Sequence, residues 1–337
     1  MSVATAVRTL LLTASDVAEL LDPDRCYATV EDAFRGQADG RAGPTGILGY
    51  PSPSGGGGFH VKAAALALGR RGYFAAKVNA NFPENRRRLG LPAIQGIVAL
   101  FDSADGRPLA LIDSIEITSL RTAAATAVAA RRLAKPESRV ATVCGCGKQG
   151  RAQLVALSRV LPIERAFAFD ADAAAARALA EELSGPLGIE ITPVAEAARA
   201  VLSSDVCVTA TPARAAFLRR ADLPPGIFVA AVGADSADKQ ELSPDVLAGA
   251  TVVVDSISQC AEIGELHHAL AAGFVERSDV HGELWEVVSG RKPGRRTADE
   301  VVVFDSTGIA VEDVAAAAAV YERALELGRG TACELAA

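Results

Sequence analysis

The chain of 337 residues holds one tryptophan, one methionine, four histidines and six cysteines, and these scarce residues form no self-sufficient chemical pattern. Cys26, Cys144, Cys146, Cys207, Cys260 and Cys333 make no C-x-x-C pair, which leaves zinc without a ligand set, and no metal is expected. The thiols fit a reducing compartment, so the expected location is the cytoplasm. No run of about 20 apolar residues is present to span a membrane. The opening "MSVATAVRTLLLTASDVAELL" reaches Asp16 and Glu19 too soon for a secretory signal core. The net charge is −7, and "RRR" at Arg86 to Arg88 is short and isolated, so nucleic acid is not an expected partner. There is no G-x-S-x-G elbow and no Cys–His nucleophile arrangement.

Apolar residues make up half of the chain and charged residues 22%, the composition of a globular protein long enough for two domains. The first 60 residues read as a helical opening, "TASDVAELLDPDRCYATVEDAFRGQADG", followed by a loop with the turn-rich "PSPSGGGGF". Strand-like runs follow in "FHVKAAALAL", "GYFAAKVNANF", "IQGIVALFD" and "PLALIDS", with Asp105-Gly106 suited to a hairpin turn. An alanine-rich helix, "EITSLRTAAATAVAARRLA", ends near Pro136. From Arg139 the pattern turns to β-α alternation through "RVATVCG", "RAFAFD", "IEITPV", "VCVTATP", "IFVAAVG" and "TVVVDS", which predicts a parallel doubly wound sheet. The tail "DVAAAAAVYERALELGRG" reads as an amphipathic helix.

In "RVATVCGCGKQGRAQL", Gly145, Gly147 and Gly150 form G-x-G-x-x-G directly after a strand and at the opening of a helix. That context fits a dinucleotide cradle: a tight turn, close backbone approach to the pyrophosphate, and close helix–strand packing. The next strand-like run ends in Asp170, whose carboxylate can accept both adenosine ribose hydroxyls and repel a 2′-phosphate. NAD is therefore expected over NADP. Other candidate groups stand at strand ends, where open α/β sheets bind ligands: Asp235 and Lys239 in "VGADSADKQEL", Thr209 in "TATP", and Ser306 and Thr307 in "FDSTG". Lys77 and Arg121 lie earlier in the chain. Taken singly, each can also be an ordinary surface, capping or turn residue.

Together, "KVNANFPEN", "DGRPLALID", "ITSLRTAAATAVAARRLA", the glycine fingerprint, "VGADSADKQEL", "GELWEVVSGRKPG" and "FDSTGIAVEDVAAAA" resemble the ornithine cyclodeaminase/mu-crystallin family, in the family's order, over roughly residues 60–320. The resemblance implies a homodimer with a Rossmann-type NAD domain, expected at residues 121–309. An α+β substrate and dimerisation domain is expected from residues 1–120 and 310–337. It implies chemistry at an amino-acid Cα–N bond. Lys77 and Arg121 are expected to hold the substrate carboxylate, Asp235 to donate or accept the proton with Lys77 beside it as a catalytic group, and Thr307 to line the substrate. The expected cofactor contacts are Arg121, Gly145, Gly147, Lys148, Gln149, Gly150, Asp170, Thr209, Val232, Gly233, Ala234, Asp235, Lys239 and Ser306.

Two departures bear on the substrate. Thr45 stands where family members often carry a carboxylate-binding arginine, and His60 falls near the position at which ornithine-specific relatives place an acid. His60 and Lys62, two apart on a strand, share one face; against the pocket they disfavour a cationic side chain and suit a neutral or anionic one. The expected activity is therefore an NAD-dependent imino-acid reductase or amino-acid dehydrogenase. Ornithine cyclodeamination is the alternative within the family, and a non-catalytic ligand-binding protein the alternative outside enzymology.

Overall fold

The computed structural model describes residues 8–335. The chain divides into two compact units, one formed by Met1–Arg121 with Ile309–Ala337 and the other by Thr122–Gly308.

The first unit is built on a seven-stranded sheet. Its strands are β1 (Thr9–Leu12), β2 (Gly46–Pro51), β3 (Gly58–Leu68), β4 (Arg71–Asn81), β5 (Ile94–Asp102) and β6 (Pro108–Asp113), with Thr331–Cys333 outside β1. β2 to β6 form an antiparallel meander, and β6 then pairs in parallel with β1. The loop expected before residue 60 thus contains a strand, β2, whose six residues are all exposed. Its Gly-, Tyr- and Pro-bearing run "GILGYP" lacks the polar alternation that marks a half-buried strand. The helical opening is two helices, Ala14–Leu20 and Pro23–Ala38, separated where Asp22 caps the second and Pro23 supplies its first residue. The alanine-rich helix Ala310–Leu327 packs on β3 and β4, and Tyr73 Oη from β4 donates to Glu322 at 2.5 Å across that contact.

Burial alternates along β4. Tyr73, Ala75 and Lys77 are buried, while Phe74 and Val78 are exposed. The outer face carries an apolar row across four strands, Leu48–Val61–Val78–Ile97, each pair directly in register. Leu48, Val78 and Ile97 are 54%, 37% and 48% exposed, and Tyr50 and Phe59 lie beside the row.

The second unit is the parallel, doubly wound sheet that the β-α alternation predicts. Its eight strands are β7 (Val140–Cys144), β8 (Arg165–Phe169), β9 (Glu190–Val194), β10 (Val206–Thr209), β12 (Phe228–Ala231), β14 (Thr251–Val254), β15 (Gly282–Glu283) and β16 (Val302–Asp305), in the order β15-β14-β16-β12-β10-β7-β8-β9. Two short strands, β11 (Arg214–Leu218) and β13 (Gln240–Leu242), pair separately. All ladders of the eight-stranded sheet are parallel. The central strands β10, β12 and β16 are buried throughout, as continuous apolar runs between two helical layers must be. The strand order reverses between β7 and β10, the switch point at which open α/β sheets leave a crevice at their carboxyl ends. No helix among the described residues is long and apolar enough to cross a membrane.

Candidate active site

In the second unit, the expected cofactor residues converge on the carboxyl ends of five adjacent strands. Gly145 follows β7, Asp170 follows β8, Thr209 ends β10, Val232 follows β12 and Ser306 follows β16. Gly145 adopts φ +99°, a left-handed conformation, and a Cβ there would stand 2.5 Å from the Ala210 carbonyl oxygen. A Cβ on Gly150 would strike the Gly145 carbonyl oxygen, so the third glycine is set by helix–strand contact. The helix Lys148–Val160 opens at Gly147 with no side chain capping it, which leaves its positive end to an anionic ligand. Lys148 and Gln149 form its first turn, and Lys148 is exposed.

Asp170 is fixed by two backbone donors, Cys146 N–H to Oδ2 at 2.7 Å and Asp172 N–H to Oδ1 at 2.9 Å. Each oxygen keeps lone-pair capacity for a ribose hydroxyl. Cradle, helix end and carboxylate together fit a dinucleotide with an unphosphorylated adenosine ribose, which is NAD.

Asp235 sits exposed on the loop after β12, 2.5 Å from Lys239 Nζ. Val232, Gly233 and Ala234, just before it, are buried. Ser306 and Thr307 are buried in the loop after β16 and bound by Asp255. Its Oδ2 accepts Ser306 Oγ–H at 3.0 Å and Gly308 N–H at 2.6 Å, and its Oδ1 lies 3.3 Å from Thr307 Oγ1. Gln259 Nε2 also donates to Thr307 Oγ1, at 2.7 Å. A set of buried carboxylates underlies these loops. Burial raises Glu241 and Glu265 above the usual carboxyl range and pushes Asp305 up to about 7.

In the first unit, Lys77 and Arg121 come together on partners that sequence reasoning does not single out. Lys77 Nζ donates to Asp313 Oδ1 at 2.8 Å and Thr118 Oγ1 at 3.3 Å. Arg121 donates through Nε to the same Asp313 oxygen at 3.0 Å and through Nη1 to Glu312 Oε2 at 2.8 Å. All four side chains are buried. Burial, then the Arg121 charge, pushes Lys77 down to about 7 against the pull of Asp313. Burial favours the neutral form of Asp313, but Arg121 and Lys77 outweigh it and hold that carboxyl below its usual value.

Lys62 lies directly opposite Lys77 in the β3–β4 ladder, hence on the same face, and its charge reaches both Lys77 and Asp313. His60 shares that face, opposite Asn79, and is exposed. The signal for Glu312 and Asp313 is nevertheless present in the chain. They are two acids in a row at the buried start of an alanine-rich helix, where only paired charges are tolerated.

The profile of the ornithine cyclodeaminase/mu-crystallin family matches residues 7–328. Among solved structures, the Δ1-pyrroline-2-carboxylate reductase of Thermococcus litoralis, in complex with NADH and L-proline, superposes with a TM-score of 0.92 at 34% identity, over 96% of this chain and 99% of that one. An archaeal alanine dehydrogenase dimer with bound NAD gives 0.92 at 35%, over 97% and 99%. The iminosuccinate reductase of Paracoccus denitrificans, in complex with NAD+, gives 0.88 at 29%, over 97% and 100%. With that profile match over nearly the whole chain, the chain belongs to the ornithine cyclodeaminase/mu-crystallin family.

Proposed function

We propose that the protein is an NAD-dependent imino-acid reductase, or amino-acid dehydrogenase in reverse, acting at the Cα–N bond of a small amino acid. The observation that carries this reading is Lys77 and Arg121 buried side by side, in a chain whose other unit holds a dinucleotide cradle ending in Asp170. Gly145, Gly147, Gly150 and Asp170 would hold NAD, which when bound would supply the hydride acceptor for Cα and, as NADH, the hydride donor.

The chain's own residues do the rest. Lys77 has three N–H donors and two protein partners among the described residues, so it has one donor left for a substrate carboxylate. Holding that carboxylate fixes which face of Cα is presented. Arg121 sets the electrostatics of the same point, and Asp313 and Glu312 keep both cations in place. Asp235, steadied by Lys239, takes the proton from the substrate nitrogen on oxidation and returns it on reduction. Lys62 brings a third cation to the Lys77 face, which supports a neutral or anionic substrate side chain and disfavours ornithine.

We assign the first unit to substrate binding and dimerisation and the second to NAD. The uncovered apolar row on the seven-stranded sheet, together with the dimeric state of the archaeal alanine dehydrogenase, supports a homodimer through that face. Six unpaired thiols support a cytoplasmic location.

The test is a spectrophotometric screen with NADH and 2-oxo acids paired with ammonia or methylamine, and with NAD and a panel of amino acids. Stoichiometric cofactor turnover is expected, best with a neutral or acidic side chain. Proline and ammonia from ornithine without net NADH would make the protein a cyclodeaminase instead. Asp235→Asn should bind NADH nearly as the wild type does and lose at least about 100-fold in turnover; wild-type turnover in that variant removes Asp235 from the mechanism.

A further inference from the structure

Glu241, in the short strand β13, is fully buried and has no assigned role in the reaction above. Its carboxylate bridges two loops at the carboxyl ends of β10 and β12. Oε1 accepts the Thr211 N–H at 2.6 Å, and Oε2 accepts the Gly233 N–H at 3.0 Å. A Cβ on Gly233 would stand 2.5 Å from Glu241 Cδ, so a side chain there would displace this carboxylate.

Glu241 is anchored in turn. Glu265 accepts the Glu241 N–H at 2.7 Å and the Leu242 N–H at 3.2 Å, and Asp305 accepts the Leu266 N–H at 2.9 Å. On the other side, the Gly233 carbonyl accepts the Asp235 N–H at 3.1 Å. The far end of the loop is tied where His268 Nε2 meets the Lys239 carbonyl at 2.7 Å. Asp235 therefore rides on a segment pinned at both ends, and the pin nearer to it is Glu241.

We propose that Glu241 is the positioning residue for Asp235: its carboxylate locks the loop bearing Asp235 to the loop after Thr209, fixing where the proton-transferring group stands against the cofactor cradle. This rests on the reading of Asp235 given above. Buried carboxylates are costly unless their bonds are made; this one accepts from the backbone N–H groups of Thr211 and Gly233, which lie on two different loops. Mispositioning of a reacting group by about 1 Å costs on the order of 100-fold in rate, which is the scale on which such a clamp acts.

The test uses Glu241→Gln, which keeps one acceptor, and Gly233→Ala, which displaces the same carboxylate from the other side, so that failure of either to fold leaves the other. Hydrogen–deuterium exchange is followed by mass spectrometry with and without NADH, beside steady-state kinetics. The amides of Thr211 and Gly233 should exchange about tenfold faster in both variants, the equivalent of one lost hydrogen bond to a charged group, with β12 unchanged. Turnover should fall about 10- to 100-fold in both, with the NADH KM of Glu241→Gln near the wild-type value, and the double variant should be no worse than the poorer single.

Unchanged exchange in both variants overturns the clamp. So does faster exchange with wild-type turnover, or a loss confined to the NADH KM, since the carboxylate then shapes the cradle and not the Asp235 loop. If the wild type reduces no imino acid, the functional reading fails, while the exchange data still decide whether Glu241 holds the two loops.

Discussion

Asp313→Asn is the most informative single change in the first unit. One oxygen of Asp313 accepts both Lys77 Nζ at 2.8 Å and Arg121 Nε at 3.0 Å, with all three side chains no more than 4% exposed. Asparagine keeps the shape and an acceptor but removes the charge, leaving two buried cations beside Glu312 without their shared anion. Removing one partner of a buried ion pair costs about 3–5 kcal/mol. Lys77 limits the damage: already pushed down to about 7, it loses the attraction of Asp313 and gives up its proton. The expected cost is therefore the lower end, about 3 kcal/mol. For a unit of this size it corresponds to a fall of about 6–12 °C in melting temperature.

The pH dependence has a definite sign. Asp313 is held below its usual carboxyl value, so its stabilisation is present above the unfolded pKa and is lost as pH falls through the depressed folded value. The gap between wild type and variant should thus widen as pH falls below about 7, where Lys77 holds its proton in the wild type and not in the variant, and shrink below about pH 4 as Asp313 is protonated. Calorimetry across that range measures it, with kcat/KM recorded at neutral pH. Equal melting temperatures at neutral pH refute the reasoning, because the four-charge cluster then contributes nothing that depends on its bridging anion.

The remaining expectations are narrower. Asp170→Ala should raise the NAD KM about tenfold or more, the loss of hydrogen bonds to a charged group, and narrow the preference over NADP; an unchanged cofactor ratio places the ribose elsewhere. In the wild type, the KM for the imino acid should climb as pH rises through about 7, where Lys77 loses its proton, whereas Lys77→Arg should flatten that rise because guanidinium stays charged. Identical pH slopes would falsify the carboxylate role of Lys77. Val78→Asp puts a carboxylate in the middle of the apolar row and should shift the protein to monomer in sedimentation velocity; an unaltered dimer means that another face holds the subunits together.

The second unit is the more legible in sequence. Its central strands are short continuous apolar runs, so Gly145, Asp170, Thr209 and Ser306 can be set at strand ends from the chain alone. The first unit is harder. β2 is exposed along its length and offers no burial pattern to read. The carboxylate partners of Lys77 and Arg121 lie some 190 residues or more further along the chain, a separation that periodicity cannot bridge. Glu312 and Asp313 look like first-turn acids of an amphipathic helix, which they also are. Glu241 is hidden differently: "DKQEL" reads as a polar turn leading into a strand, and only the fold shows its carboxylate turned inward onto Gly233 and Thr211.

In the homodimer proposed above, the open face of the seven-stranded sheet would make protein concentration a thermodynamic variable. A row of Leu48, Val61, Val78 and Ile97 left in water gains nothing from the hydrophobic effect until a second copy covers it. Stability borrowed from association follows mass action. Melting temperature should then rise with subunit concentration, and activity should decay on dilution and return on concentrating. Assays at catalytic dilution and structures at crystallographic concentration would sample different populations of the same chain.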